Sequence, residues 1–435
     1  EAVGDAFPVL LRFSADEKLE GGLTLDAVRR LVPLFERAGF SALHVSAGCY
    51  SSMEWIVQPY LQEHACLGDL ARAIRQESDL PVIAVGRIVD LDTAERLLQD
   101  GSADLVSMGR ALIADPDLPR KAAEKNASAI RPCLGCNVCI QFVGVKQTRC
   151  AVNPEMGQET THPPDPELSH IVVIGGGPAG LEAALAAADR GRQVTLLERE
   201  STLGGQLKLA AGFVSKPHFQ RLLDYFLDEV DRAEIQIYLD TVVNLDLVRS
   251  LQPDCLIVAT GGVPRPLILD GSTPHGHVVQ ATEVLATRES LTGEVVVVGG
   301  GLVGLDVAEV LSTTADRVTI IEKGSRAGSV LEWNLCKMRL ASLRHYGVNI
   351  MLQSQLIRCE RSAVIVCNPL EDEQRIQADV LVLALGSVPD NPLPQLAGAL
   401  SCPQTFIGDC RNPAGLTEAL DQGRTAGRMS ISHNT

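Results

Sequence analysis

Apolar positions along this chain follow two different rhythms. From Phe7 to about Asn126, short runs that are apolar at nearly every position alternate with longer stretches whose apolar residues recur at helical spacing. The runs PVLLRF (8–13), ALHVSA (42–47), PVIAVG (81–86) and ADLVSMG (103–109) predict strands. TLDAVRRLVPLFERAG, CLGDLARAIRQES and DLDTAERLLQDG predict the intervening helices, each with Gly, Ser or Asp near its ends. Strands apolar on both faces, alternating with helices, predict a parallel sheet with helical cover.

The second rhythm follows NPEMGQETTHPPDPELSH, whose Pro and polar residues read as a linker. HIVVIGGGPAGLEAALAAADRGRQVTLLERE then predicts a strand, a Gly175-x-Gly177-x-x-Gly180 turn, a helix and a second strand ending at Glu198. Glycines there permit a tight turn and let backbone amides approach a pyrophosphate, while the acid receives ribose hydroxyls. The arrangement returns with Gly299, Gly301, Gly304 and Glu322, and the spacing from first glycine to acid is the same in both copies. DCLIVATGGVPRP (254–266) is likewise answered by DVLVLALGSVPDN (379–391). The chain therefore contains an internal duplication, and two dinucleotide folds imply two dinucleotides, most commonly a flavin beside a nicotinamide. Near the end, Gly408-Asp409 closes a strand before a helix, placed either to meet a flavin's ribityl or phosphate groups or simply to turn the chain.

Composition narrows the partners. A length of 435 residues suggests two to four domains, and 46% hydrophobic residues supply several cores. With 38 basic against 54 acidic residues the net charge is −16, so nucleic acid is an unfavourable partner. Neither a membrane-spanning apolar run nor a secretory leader is visible, and a cytoplasmic location is the expectation. Of the 12 cysteines, Cys133, Cys136, Cys139 and Cys150 are grouped, and the others are scattered as reduced thiols would be. A C-x2-C-x2-C triplet with a fourth cysteine on a return loop suits an iron-sulfur cubane. Structural zinc, which usually takes two separated C-x2-C pairs, and unligated thiols are the alternatives.

Two strand ends in the first segment carry Gly-Arg pairs, Gly86-Arg87 and Gly109-Arg110, where parallel α/β folds place ligands and where a guanidinium beside a glycine suits phosphate. Helix-capping turns and surface ion pairs are the plainer explanations. Arg12, inside the apolar LLRF, is expected to be buried and to need an anionic or carbonyl partner.

These motifs, with GGQ (Gly204, Gly205, Gln206), ATG ending at Gly261, GGGPAG, GGGLVG and IGDC, together resemble the iron-sulfur NADH:flavin oxidoreductases. That group includes 2,4-dienoyl-CoA reductase, trimethylamine dehydrogenase and the enoate reductases. The resemblance implies the C-terminal half of a (β/α)8 TIM barrel binding FMN, then a 4Fe-4S cluster on the four cysteines. An FAD-binding Rossmann-like domain with an inserted NAD(P)-binding Rossmann-like domain follows. Expected boundaries are 1–127 for the barrel part, 128–165 for the cluster segment and linker, 166–288 with 388–435 for FAD, and 289–387 for NADH or NADPH. By the same resemblance, Arg12 meets the polar edge of the FMN ring, Arg87 and Arg110 its phosphate, Pro178, Ala179, Glu198 and Gln206 lie along FAD, and Asp409 nears its ribityl chain.

A full barrel takes about 250 residues, roughly twice what precedes the cysteines. The expectation is a fragment, or a barrel completed by a second chain or in a homo-oligomer, lacking the family's proton-donating tyrosine. His44, Tyr50, Trp55 and His64 are the substrate-facing candidates that remain, with packing or surface roles as the plainer reading. The implied activity passes electrons from NAD(P)H through FAD, cluster and FMN to an activated C=C bond of a small molecule of enoate or dienoyl type. An oxidative amine demethylase and an electron-transfer subunit are the alternatives. Disulfide reduction is set aside, because the duplicated folds contain no C-x-x-C.

Overall fold

A computed structural model describes residues 7–141, 143, 147–159, 169–213, 216–269, 275–288, 290–390 and 400–429. The chain divides into two compact units, Glu1–Gly157 and Gln158–Thr435. Over 160–168 the expected linker lies outside the described residues.

In the first unit β1 (Leu10–Ser14), β2 (Ala42–Ser46), β3 (Val82–Ala84) and β4 (Leu105–Val106) form one parallel sheet in chain order. This is TIM-barrel architecture, four βα units of it. Helices cover one face, where Leu43, Val45, Val82 and Ala84 are buried with Val28, Ala71, Ile74 and Leu97. Because side chains alternate along a strand, the in-register row Arg12, His44 and Ile83 faces the opposite side. The helix Gly68–Arg75 buries Leu70, Ala71 and Ile74 on a single stripe, and a fully buried Leu or Ile contributes about 1.5–3 kcal/mol. At the sheet's edges Leu10 is 51% and Leu105 48% exposed.

Two expectations are corrected here. The single helix predicted after β1 is two, Leu25–Arg29 and Val32–Arg37. Pro33 cannot donate to the carbonyl of Arg29 and its ring clashes there, so it begins a new helix instead of continuing the old one. Arg12 is exposed, not buried, because β1 is an edge strand.

The second unit contains the duplication. Its strands are β5 (His170–Ile174), β6 (Gln193–Leu197), β7 (Gln236–Tyr238), β8 (Cys255–Val258), β9 (Gly262–Pro264), β10 (Val278–Gln280), β11 (Glu294–Val298), β12 (Arg317–Ile321), β13 (Asn349–Met351), β14 (Gln355–Glu360), β15 (Ala363–Cys367), β16 (Glu373–Gln377), β17 (Val380–Leu383), β18 (Ser387–Pro389) and β19 (Gln404–Phe406). Two five-stranded parallel sheets result, β19-β8-β5-β6-β7 and β10-β17-β11-β12-β13, with β14 to β16 an antiparallel meander and β9 paired to β18. The second sheet starts earlier than the boundary expected at 289. Val278 to Gln280 pair with β17, and Val284 and Leu285 of the next helix share a core with Val295, Leu305 and Leu311.

Where the chain returns to the first sheet, Leu416–Arg428 packs along Pro178–Ala188 at very short range. A methyl on Gly423 would stand 2.5 Å from the Ala179 oxygen, and one on Gly427 would overlap the Ala183 oxygen. Between them the fully buried Glu182 is paired with Arg424 Nε at 2.7 Å. A second buried ion cluster joins the two folds. Lys216, ahead of Pro217–Arg232, contacts Asp306, which also meets Arg339 Nη1 at 2.9 Å, while Arg339 Nη2 reaches Glu309 at 2.8 Å.

Ala at a helix interior is favoured over Gly by about 1 kcal/mol on propensity, whereas forcing extra volume against backbone costs about 1–3 kcal/mol. Gly427→Ala is therefore expected to lower the urea midpoint, and a midpoint equal to or above that of the parent would show that the seam can open.

Candidate functional site

The cysteine centre is built by one irregular segment folded against the first unit. Asp115, buried, accepts from the Arg131 amide at 2.8 Å and from Lys121 Nζ at 2.6 Å, and Arg131 Nη1 donates to the Val152 carbonyl at 2.6 Å. That bond ties the limb carrying Cys133 to the limb carrying Cys150. Between Cys136 and Cys139 the chain bends through Asn137, which holds a left-handed φ of 60° and starts the turn Val138–Gln141. Its amide donates to the Val57 carbonyl at 3.0 Å. Gly135, also left-handed, accepts from the Tyr60 amide at 2.9 Å.

All four cysteines line one small cleft with Arg110, Ile113, Leu134, Asn137, Ala151 and Val152. A cubane takes one thiolate on each of four irons, and four cysteines from two limbs of one cleft fit that donor demand. Burial pushes the Cys139 thiol up to about 11, with the other cysteines adding to it and Arg110 opposing, and burial also raises Cys136 and Cys150. Without an occupant these thiols stay protonated at neutral pH, so loading the site releases protons.

Both expected phosphate arginines turn toward this segment. Arg110 Nη1 donates at 2.5 Å to the Gln58 carbonyl and at 2.5 Å to Asn137 Oδ1. Arg87, only 7% exposed and left-handed like Gly86 before it, donates to the Gln62 carbonyl. Its Nε lies 3.4 Å from where a Gly135 side chain would stand. Gly109 does not end a strand but is the first residue of Gly109–Ala114. On the open sheet face, burial and then the Arg12 charge lower the pKa of His44, whose buried Nε2 has no hydrogen-bond partner among the described residues. Tyr50 is 91% exposed, which rules out a packing role for it. Trp55 lies under Lys18, and His64 Nδ1 is 2.8 Å from Asp90.

In the second unit the two glycine turns repeat each other atom for atom. A Cβ on Gly180 would overlap the Gly175 oxygen, and one on Gly304 the Gly299 oxygen, so helix and strand can meet this closely only at glycine. Glu198 accepts from the amides of Gly176 at 2.6 Å and Glu200 at 2.9 Å, and Glu322 from those of Gly300 at 2.7 Å and Gly324 at 2.6 Å. At the N-caps of Pro178–Ala188 and Leu302–Leu311, where a pyrophosphate needs room, space is open beside Gly301, and beside Gly177 only the Gly205 Cα comes as near as 4.0 Å to an added Cβ. Ala179 is buried in the first turn of the former helix, directly after Pro178. Gly204 donates to the Gly176 carbonyl at 2.8 Å, so Gly205 and the exposed Gln206 form a second wall over that turn. Gly408 donates to Gln422 Oε1 at 2.8 Å beside Ala179, and Asp409 Oδ1 accepts from Ala414. Gly261 accepts from Asp390 at 3.0 Å, where the chain crosses between the folds.

A barrel segment, a four-cysteine centre and paired dinucleotide turns in one chain are the combination that flavin- and nicotinamide-dependent oxidoreductases share. The comparisons specify which. Residues 169–407 match the pyridine nucleotide-disulphide oxidoreductase family, and residues 1–128 match the NADH:flavin oxidoreductase / NADH oxidase family. An NADH oxidase of Thermoanaerobacter brockii is 35% identical over 97% of this chain and 66% of its own. A solved 2-naphthoyl-CoA reductase in complex with 2-naphthoyl-CoA superposes with TM-score 0.92 at 26% identity, over 98% of this chain and 66% of that one. Histamine dehydrogenase from Rhizobium sp. 4-9 gives 0.88 at 25% identity, over 98% and 66%. The chain belongs to the iron-sulfur NADH:flavin oxidoreductase family, whose cofactors are FMN, FAD, a 4Fe-4S cluster and NAD(P)H. It spans just under two thirds of the length of these relatives.

Anaerobically purified protein is expected to contain about four iron and four sulfide per chain, and Cys139→Ser to lose most of both. Zinc found in their place by metal analysis would refute the polynuclear reading.

Proposed function

We propose that this chain is the electron-delivering portion of an NADH-dependent reductase acting on an activated C=C bond of an enoate or aryl-acyl type substrate. The observation that carries the proposal is the juxtaposition, within the first unit, of the four-cysteine cleft with the barrel arginines; the second unit separately supplies the paired nucleotide turns. When bound, the cofactors supply hydride acceptance from the nicotinamide and single-electron transfer onward to the barrel.

The chain's own residues do the positioning. Gly175, Gly177, Pro178, Ala179 and Gly180 present amides to the FAD pyrophosphate, Glu198 receives its ribose, and Gly205, Gln206, Gly261, Gly408 and Asp409 close over it. Gly299, Gly301, Gly304 and Glu322 do the same for the nicotinamide dinucleotide. In the barrel, Gly86, Arg87, Gly109 and Arg110 form the phosphate end of the FMN site and Arg12 lies at the ring's polar edge. His44, neutral beside Arg12, is positioned to accept or donate a hydrogen bond on the open face, and Tyr50 is left as a solvent-side substrate contact. The domain division proposed is the one expected from the sequence, except that the start of the NAD(P) fold is drawn at the loop before Val278 instead of at 289.

The amine-oxidising alternative is favoured by one observation, the likeness to histamine dehydrogenase. Substrate-dependent flavin bleaching without NADH separates the two directions. Anaerobic turnover of cinnamate-type acids or aryl-CoA thioesters with NADH supports reduction, whereas bleaching by methylated amines alone overturns it.

Two further outcomes follow. In a dinucleotide fold the acid at the position of Glu322 takes the ribose hydroxyls and repels a 2′-phosphate, and Arg326 is committed to the Ser329 carbonyl and the Trp333 face, 5.5 Å from the ring centre. NADH is thus expected to exceed NADPH at least about tenfold in kcat/KM with a dye acceptor, an advantage of about 1.4 kcal/mol; equal values would refute the role of Glu322. The barrel segment presents exposed apolar edges at Leu10 and Leu105, while the nucleotide folds bury their own cores. This chain alone is therefore expected to retain FAD and reduce a dye from NADH, with FMN bound far below stoichiometry. Extraction of equal FMN and FAD would show the barrel site already complete.

A further inference from the structure

We propose that Arg110 is a positioning residue for the iron-sulfur centre, setting its reduction potential through its charge and through its hold on the cysteine turn. This rests on the four-iron reading of the cysteine cleft and extends it.

Arg110 follows β4 as the second residue of Gly109–Ala114, yet its guanidinium does not turn to bulk solvent. Nη1 spans from the Gln58 carbonyl, on the loop after β2, to Oδ1 of Asn137, which lies between Cys136 and Cys139. Asn137 is 1% exposed, is held in the left-handed region, and donates its own amide to Val57. The turn that spaces two of the four sulfurs thus has its side chain fixed at both ends, by barrel loop on one side and by Arg110 on the other. Among the described residues lining the cleft, Arg110 is the one cation, since the other lining residues are apolar, Asn137 or the cysteines themselves. Its Nε and Nη2 take no acceptor among the described residues, so its charge is not neutralised by a carboxylate.

The chemistry that follows is electrostatic. Uptake of one electron makes the cysteine-bound centre more negative by one unit, and a cation in a low-dielectric cleft stabilises that state over the other.

The test is an EPR-monitored redox titration of the whole chain, with wild type, Arg110→Gln, Arg110→Lys and Asn137→Ala compared at matched iron and sulfide content. Arg110→Gln is expected to lower the reduced-to-oxidised ratio at a fixed ambient potential at least tenfold, a midpoint shift of 59 mV for one electron. Arg110→Lys, which keeps the charge, recovers most of that shift, and Asn137→Ala, which keeps the arginine, moves the midpoint less than Arg110→Gln does. An unmoved midpoint in Arg110→Gln overturns the proposal, as does a fall in Arg110→Lys as large as in Arg110→Gln. Should Arg110→Gln assemble no cluster, Asn137→Asp sets a carboxylate against the guanidinium; its midpoint must fall, and no change there overturns the proposal. Wild-type protein without iron would instead refute the four-iron reading itself.

Discussion

Two backbone oxygens govern the second unit. Those of Gly175 and Gly299 occupy the space in which a side chain at Gly180 and Gly304 would have to stand, and this closeness brings each helix start onto its strand. Everything at the nucleotide sites depends on that approach: amides at the helix N-termini aim outward, and Glu198 and Glu322 can fold back onto the turns they follow. Any side chain there would force the helix off the sheet and separate acid from turn. The constraint is one of volume, and it appears twice because the fold does.

In the first unit, charge rather than volume organises the site. The Gly-Arg pairs follow β3 and β4, one in a loop and one opening the helix Gly109–Ala114, at the end where a parallel barrel collects its ligands, but their guanidinium groups reach sideways to the cysteine segment. The last two βα units therefore brace the cysteine segment through their arginines. Arg131 and Asp115 complete the seat from the other side without entering the cleft.

What was legible in the sequence was what is local. The glycine turns, their acids and the cysteine spacing each depend on residues within one strand-turn-helix or one loop, so pattern and spacing predicted them before any coordinates. Pro33 carried its own warning, a helix interior position with no amide to donate, and the longer helical period masked it. The role of Arg110 was not legible, because Gln58 and Asn137 come from distant parts of the chain and a strand-end arginine looks the same whether it faces phosphate or an asparagine. The exposure of Arg12 depended on which strand forms the sheet edge, a property of the whole sheet and not of LLRF. The start of the second fold at β10 was hidden for a similar reason: three residues pairing with a strand a hundred positions later leave no periodic trace.

The ion cluster of Lys216, Asp306, Arg339 and Glu309 bears on how the nucleotide folds behave in turnover. Desolvation lowers the Lys216 pKa, with Asp306 opposing, so the lysine depends on that carboxylate to stay charged. Only Lys216 comes from the first nucleotide fold, whereas Asp306, Arg339 and Glu309 belong to the second. Any rotation of one fold against the other must therefore exchange the Lys216–Asp306 pair for water, so the attitude of the two folds and the protonation of one lysine are a single linked variable.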